Sequence, residues 1–412
     1  MKVIVIGAGA AGMMAAITSA KYGNEVILLE KTKSIGNKLK ITGKGRCNLT
    51  FDGDIEDFKS NIVKNSKFMY SSFSNFTNKD AVEYFNSIGV KTKVERGGRI
   101  FPVSDKAEDI VLALKNELRK YNVKIDYETE LRDFIIKDNT LIGIRTNKKD
   151  YFADKFILCT GGKSYKATGS SGECFEILKK YGHNIIDLRA GLVPLKSNDE
   201  ICNKLQGLTL KNVNFKILDK EKIIYNSFGE MLFAHFGLTG PIVLSGSSLL
   251  NRLENLGDKF TKKDICGIID IKPALSLETL DKRIKRDFDK YSNKEFKNSL
   301  VDLLPQKMIP VIVELSNINP DKKVHQITKE ERGRLAYLIK NLKIQIVDLM
   351  PIDIAIITCG GVDVKQVNPK TMESKVIKNL FLAGEVLDVD AFTGGFNLQI
   401  AFSTAVAAGK NI

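Results

Sequence analysis

The sequence predicts an α/β fold organised around a parallel sheet, with the two ends of the chain brought together. Three observations carry this. An apolar run enters a glycine-rich turn at the N-terminus, "KVIVIGAGAAG". A second apolar run, "EVILLE", ends on an acid at position 30. A third, "NLFLAGE", lies near the C-terminus, ahead of a glycine pair and a small-residue helix.

The first element is a strand that reaches a tight turn at Gly7. Gly7, Gly9 and Gly12 form GxGxxG, with Ala10 and Ala11 between the last two. Gly7 permits the turn, Gly9 lets the backbone approach a pyrophosphate, and Gly12 lets helix and strand pack. The helix "MMAAITSAKYG" follows, with small Ala15, Ala16 and Ala20, and stops at Gly23. Its N-terminus offers free N–H groups and a positive dipole end to phosphate. The next strand ends in Glu30, with Lys31 beside it. A carboxylate there accepts hydrogen bonds from a ribose diol and disfavours a 2′-phosphate. Strand, turn, helix, strand and acid in this order predict a dinucleotide site. The eighteen uncharged residues between Lys2 and Lys21 also resemble a secretory leader. Three glycines within them argue against a spanning helix.

The stretch "GNKLKITGKGRCNLT", Gly36 to Thr50, has neither helical nor strand periodicity. A phosphate loop, a redox cysteine, a nucleic-acid contact and a surface turn are all compatible with its composition. Its position directly after Glu30 favours a cofactor loop. Thr42, Gly43 and Gly45 would bring backbone close, and Lys38 and Arg46 would oppose phosphate charge. Arg46 is also a candidate for a substrate anion. Cys47 and Asn48 would lie toward the reactive end of the cofactor. A core thiol is the alternative for Cys47, and a bond to loop backbone the alternative for Asn48.

The segment from Asn122 to Gly162 reads as a meander of short antiparallel strands, turning at Lys137–Asn139 and Asn147–Asp150. It ends in an apolar strand and the turn Thr160, Gly161, Gly162. This looks like the insertion of a glutathione-reductase-type FAD fold, in which Leu131 sits where backbone meets adenine. The C-terminal run then supplies a strand, Gly384–Glu385, a loop, and Gly394–Gly395 opening a helix to Gly409. In folds of this type the acid reaches the ribityl chain. The helix start, here Gly395, Phe396, Asn397 and Leu398, faces the flavin N1–C2 edge, where a dipole stabilises negative charge.

Between the two motifs the chain must be an insertion. Residues 209–237 alternate as antiparallel strands around a turn at Asp219–Lys222. "SLETLDKRIKRDFDKYSNKEFKNSLVDLL" and "TKEERGRLAYLIKNL" read as amphipathic helices, with capping-box spacing at Ser292/Glu295 and Thr328/Glu331.

Together the motifs resemble the BaiN-like flavoproteins, the bile-acid 3-dehydro-Δ4,6-reductase-like proteins also described as aminoacetone-oxidase-family FAD-binding enzymes. The matching residues include "GKGRCNLT", "GRIFPVSDKAEDI", "CTGGKSYKATGSSGECFEILKKYGH", "GEMLFAHFGLTGP", "TCGGVDVKQVNPKTMESK" and "LAGEVLDVDAFTGGFNLQIAFS". Four positions depart from the family pattern: Lys166 for a usual Pro, Cys174 and Ala391 for usual glycines, and Phe51 for a usual Asn. The resemblance implies a discontinuous FAD-binding domain over 1–190 and 353–412. It implies a β-rich substrate domain over 191–273 and 341–352, and a helical subdomain over 274–340. It also implies an FAD-dependent oxidoreductase. That enzyme would be a reductase of an activated C=C or C=N bond using transient NAD(P)H, or an amine oxidase using dioxygen. A non-catalytic redox sensor and an RNA-associated flavoprotein are the readings from other classes. The catalytic candidates are His235 and Tyr165 as proton donors, with a structural His the alternative for His235, and Arg99, which would line the cleft or pair with an acid.

Composition bounds the rest. Net charge is +14, yet just twelve of the 63 basic residues are Arg, and the lysines are scattered. A small-molecule substrate, no nucleic acid and no membrane are the expectations. The six cysteines have no CxxC spacing and the histidines number three, so no metal is expected. Reduced thiols point to the cytoplasm. No sequence feature specifies an oligomeric state.

Overall fold

Strand β1 (Lys2–Ile6) is apolar after its first residue, and Val3, Ile4 and Val5 are fully buried. A strand buried on both faces belongs inside a parallel sheet. In the computed structural model, which describes all residues Met1–Ile412, β1 is the centre of five parallel strands. It is followed by α1 (Ala10–Lys21), β2 (Glu25–Leu29), β3 (Lys124–Asp126), β4 (Lys155–Leu158) and β5 (Leu380–Leu382). The order is β5-β4-β1-β2-β3, so a strand from the C-terminal motif pairs within the N-terminal sheet. The register aligns Ile4 with Ile27 and with Phe156. Helix α2 (Phe396–Lys410) packs against α1, where a Cβ on Gly409 would meet the Ala15 carbonyl oxygen at 2.8 Å.

The chain divides into two units, Met1–Gly191 with Pro351–Ile412, and Leu192–Met350. In the first, strands Leu131–Lys137, Thr140–Thr146 and Asp150–Phe152 form the antiparallel meander. Its expected first strand, Lys124–Asp126, belongs elsewhere: as β3 it pairs parallel to β2, with Ile125 opposite Leu28. Three half-exposed residues are too few to show period two, and the open edge of β2 decides their place.

The second unit holds an antiparallel sheet of seven strands. Its long hairpin pairs Thr209–Asp219 with Lys222–Ala234, closing at Asp219 and Lys222. Helices Pro241–Leu250, Leu277–Lys290, Ile309–Leu315 and Lys329–Lys340 share one core with this sheet. Thr328 and Glu331 form the expected capping box. Ser292 and Glu295 do not, because the helix ends at Lys290 and Glu295 bridges to Lys323 in extended conformation. The Ser292 carbonyl accepts from the His325 ring at 2.8 Å. No helix is long and apolar enough to cross a membrane.

One buried group makes stability depend on pH. His183 is 2% exposed; its Nε2 meets Ser374 Oγ at 2.8 Å and its Nδ1 has no partner. Burial pushes its pKa down to about 4. The unfolded chain takes up that proton near the ordinary value of about 6.5. Stability is therefore full above that pH and falls between it and pH 4, by at most about 1.4 kcal/mol per pH unit from this group. Urea midpoints at pH 7 and pH 5 measure the fall, and His183→Asn should shrink the difference between them.

Candidate cofactor site

The site begins where β1 ends. Gly7 N–H donates to Leu29 O at 2.8 Å, tying the turn to β2. The Glu30 carboxylate, 8% exposed, accepts from Ala8 N–H (2.9 Å), Thr32 N–H (2.8 Å) and Thr32 Oγ1 (2.7 Å). Two carboxylate oxygens carry about four acceptor sites, so one remains for a ribose hydroxyl. Helix α1 starts at Gly9 with no side-chain cap and no acid in its first turn. Its N–H groups at Ala10 and Ala11 are thus unmatched by the protein itself.

The glycines divide by what surrounds them. A Cβ on Gly12 would lie 1.7 Å from the Gly7 carbonyl oxygen, whereas one on Gly9 would meet nothing within 4 Å. Gly12 is a packing glycine, and Gly9 borders open space at an uncapped helix end. That is the cradle a pyrophosphate requires.

The C-terminal motif closes on the same turn. A Cβ on Gly384 would sit 2.7 Å from Ala11 Cβ, and its N–H donates to Thr404 Oγ1 at 3.0 Å. Glu385 is the centre of a polar knot. Lys38 Nζ reaches its Oε2 at 2.7 Å and its Oε1 at 3.0 Å, and Ser164 Oγ at 2.7 Å. Thr358 N–H donates to Oε1 at 2.7 Å. Four distant segments therefore meet at one carboxylate. Ser164 and Thr358 each lie beside a glycine pair in a stretch that carries the resemblance, yet nothing in the sequence marks either as a partner of Glu385.

Both cations expected opposite phosphate are paired with carboxylates. Lys38 is held by Glu385, and Arg46 by Asp105 (Nε to Oδ1, 2.9 Å) and Glu95, over the Phe101 ring at 4.2 Å. The bonds to Glu95 and then Asp105 raise the Arg46 pKa, the bond from Arg46 lowers that of Glu95, and the bonds from Lys93 and then Arg46 lower that of Asp105. Lys93 joins Asp105 at 2.7 Å. This cluster pins the 42–48 loop, whose Gly43, Lys44, Gly45 and Cys47 have positive φ. Arg46→Met should therefore retain flavin at purification while loosening the loop, with proteolysis near Lys44 as the readout. Colourless protein would return Arg46 to the cofactor.

Within that loop Thr42 Oγ1 donates to Leu39 O, and Cys47 is fully buried. Burial pushes the Cys47 pKa up to about 12. It is a neutral thiol at pH 7, with no thiolate to act as a nucleophile. All six cysteines are free and buried. Asn48 Oδ1 is buried without a partner. An orphaned acceptor among backbone turns invites a donor from a bound group.

Helix α2 starts at Gly395, again without a side-chain cap or first-turn acid. A Cβ there would lie 2.3 Å from the Thr50 carbonyl oxygen, and φ is +98°. Phe396 packs on Phe51 with centroids 4.7 Å apart, and Phe51 stacks on Phe58 and Phe73. The departure at Phe51 is thus filled by an aromatic cluster. Asn397 is bonded both ways to Ala391, and Leu398 is half-buried. Gln399, not among the candidate residues, fixes the helix by bonds to Thr50 Oγ1 (2.6 Å) and Phe76 O (3.0 Å).

The remaining candidates are dispersed. Thr160 Oγ1 meets Cys174 Sγ at 2.8 Å, which gives that departure a partner. Gly162 O accepts from Ser170, and Lys31 Nζ reaches Ser171 at 2.6 Å. Leu131 begins a meander strand and is buried. Tyr165 is half-buried beside the Gly161–Gly162 turn, and Lys166 pairs with Asp353 at 3.3 Å. Arg99 Nε donates to Arg96 O at 3.0 Å. His235 lies in the second unit, exposed, edge-on to Phe236.

A family model for the HI0933-like protein Rossmann domain matches residues 1–411. The chain belongs to that family. As an HI0933-like protein it is an FAD-dependent oxidoreductase, and the cradle described above fits the dinucleotide. It is 30% identical, over 98% of its length and 97% of the relative's, to a 3-dehydro-bile acid delta(4,6)-reductase of Clostridium scindens. It is 30% identical over 99% of its length, and 98% of the relative's, to a ribosomal RNA dihydrouridine synthase of Haemophilus influenzae. The Escherichia coli protein of that name is 29% identical, over 99% and 97%. Among solved structures, the 3-ketosteroid delta1-dehydrogenase of Sterolibacterium denitrificans superposes with a TM-score of 0.53. The match covers 99% of this HI0933-like chain and 98% of that one at 12% identity, a likeness of fold.

Proposed function

We propose that the protein reduces a carbon–carbon double bond conjugated to a carbonyl, with NAD(P)H as a transient electron donor. One observation carries this reading. The chain is equally similar, end to end, to a delta(4,6)-reductase of a 3-dehydro-bile acid and to two dihydrouridine synthases. Dihydrouridine is uridine saturated at its 5,6 bond, which is conjugated to the C4 carbonyl. The two names thus describe one bond change on different molecules. FAD, when bound, supplies the hydride chemistry.

The chain's own groups bind and orient. In this reading Ala10 and Ala11 N–H hold the pyrophosphate, Glu30 the ribose, and Glu385, set by Lys38, the ribityl hydroxyls. Asn48 and the α2 N-terminus at Gly395–Asn397 meet the flavin edge. Tyr165 is the first candidate for the proton that the α-carbon requires, with His235 as the alternative, and Arg99 is a candidate for lining the cleft. The chain carries one GxGxxG, so a nicotinamide donor would visit without a dedicated fold of its own.

A second reading concerns the substrate alone. Two relatives are named ribosomal RNA dihydrouridine synthases, so a uridine within ribosomal RNA is the alternative to a small enone. Both are tested together. The yellow protein is bleached anaerobically with NADH or NADPH, then mixed with a 3-oxo-Δ4,6 steroid, with unmodified ribosomal RNA, or with oxygen. Recovery of colour with the steroid or the RNA supports conjugated-bond reduction and says which substrate it is. Bleaching by aminoacetone in place of nicotinamide, with recovery in oxygen alone, would replace it by an amine oxidase. Tyr165→Phe should slow recovery with substrate and leave bleaching unchanged.

A further inference from the structure

A cavity of about 580 Å³ opens on the second unit, lined by the long hairpin, residues 271–275 and the helix Leu277–Lys290. Leu210, Val213, Phe228 and Leu275 make an apolar wall, and three cations, Lys211, Lys272 and Arg283, also line the cavity. Phe228 is 57% exposed, a large aromatic left in solvent. Lys272 and Arg283 differ in their partners. Arg283 donates to Asp302 O at 3.0 Å and lies 3.4 Å from Asp287 Oδ2. The backbone of Lys272 is bonded, its N–H to Asp270 Oδ1 at 3.0 Å and its carbonyl from Lys340 Nζ at 3.1 Å. Its half-buried ammonium has neither a hydrogen bond nor an ion pair. Burial, and then the charge of Arg283, hold its pKa below the ordinary value.

An ammonium desolvated beside a second cation is unfavourable unless a counter-charge arrives. Core packing does not require this arrangement, since a neutral side chain would serve the apolar wall better. We propose that the cavity binds a small amphipathic anion, its apolar body against Phe228 and Leu275 and its acidic head between Lys272 and Arg283. The volume falls within the range of about 300–1,000 Å³ typical of small-ligand sites. One concave pocket with three cations favours a small molecule over a polynucleotide, which needs a charged groove along its backbone.

The test is calorimetric titration of the flavin-loaded full chain with 2-naphthoate and with 2-naphthyl phosphate. These separate a carboxylate from a phosphate head on one apolar body. Uncharged 2-naphthylmethanol is the control. The expected result is one molecule bound per chain, with at least one anion about tenfold or more tighter than the alcohol. Lys272→Glu should weaken that anion by a further factor of about ten, Lys272→Arg should keep it, and Phe228→Ala should weaken anion and alcohol alike. Circular dichroism melts establish that each variant is folded. The proposal is overturned if the alcohol binds as well as both anions or if folded Lys272→Glu binds as wild type. It is also overturned if neither anion binds at millimolar concentration, or if oligouridylate displaces the anion and is the tighter ligand.

Discussion

Gly12→Ala is expected to give colourless protein of reduced stability. The new methyl would sit 1.7 Å from the Gly7 carbonyl oxygen and 2.9 Å from its carbon, both backbone atoms of the turn. Backbone cannot rotate aside as a side-chain tip can, so α1 must move off β1. Overpacking a close-packed core costs about 1–3 kcal/mol and more where backbone must shift. The same displacement moves the Ala10 and Ala11 N–H groups away from the phosphate position. Absorbance at 450 nm relative to 280 nm after purification measures flavin content, and thermal melts of the apoprotein measure stability. Gly9→Ala separates the two effects. Its methyl meets nothing within 4 Å and its φ of −79° suits alanine. That variant should melt as wild-type apoprotein yet bind flavin weakly, because the methyl occupies the approach of the pyrophosphate. A yellow Gly12→Ala protein with an unchanged melt would remove the packing argument.

Lys38→Met is expected to weaken FAD binding about 10- to 100-fold, equivalent to about 1.4–2.8 kcal/mol. Each side chain of the Lys38–Glu385 pair is 22% exposed. Breaking a fully buried pair costs about 3–5 kcal/mol, and partial exposure reduces that. The remaining partners of Glu385, Ser164 Oγ and Thr358 N–H, hold one oxygen, Oε1. Oε2 loses its donor and the carboxylate is free to swing. Glu385→Gln keeps the shape and removes the charge, so a double-mutant cycle isolates the coupling. Flavin fluorescence on titration gives the affinities. If the losses in Lys38→Met and Glu385→Gln add up to the loss in the double variant, the pair does not position the acid for the cofactor.

The sequence and the structure agree most where backbone geometry dictates residue type. A strand buried on both faces must be apolar, a helix packed on a turn must offer glycine, and a hairpin must reverse at polar residues. β1, Gly12 and the Asp219–Lys222 reversal follow from those rules and were legible. The helix end at Lys290 was not, because residues 291–304 keep helical composition while Glu295 is drawn into a bridge with Lys323. The allegiance of Lys124–Asp126 was hidden for a related reason. A three-residue strand takes its place from the edge available to it.

Side-chain partnership is where sequence reading stops. The amino-acid order by itself determined a parallel sheet with its glycine turn, the acid that follows it, and a second glycine-led helix near the C-terminus. These are local consequences of φ, ψ and burial. Tertiary structure alone decided that Lys38 meets Glu385, 347 positions away, with Ser164 and Thr358 around them. It alone gave Arg46 to Glu95 and Asp105. Charge has no periodicity along a chain. Its partner is whichever loop the fold delivers within a few ångströms, because Coulomb attraction and desolvation both act through space.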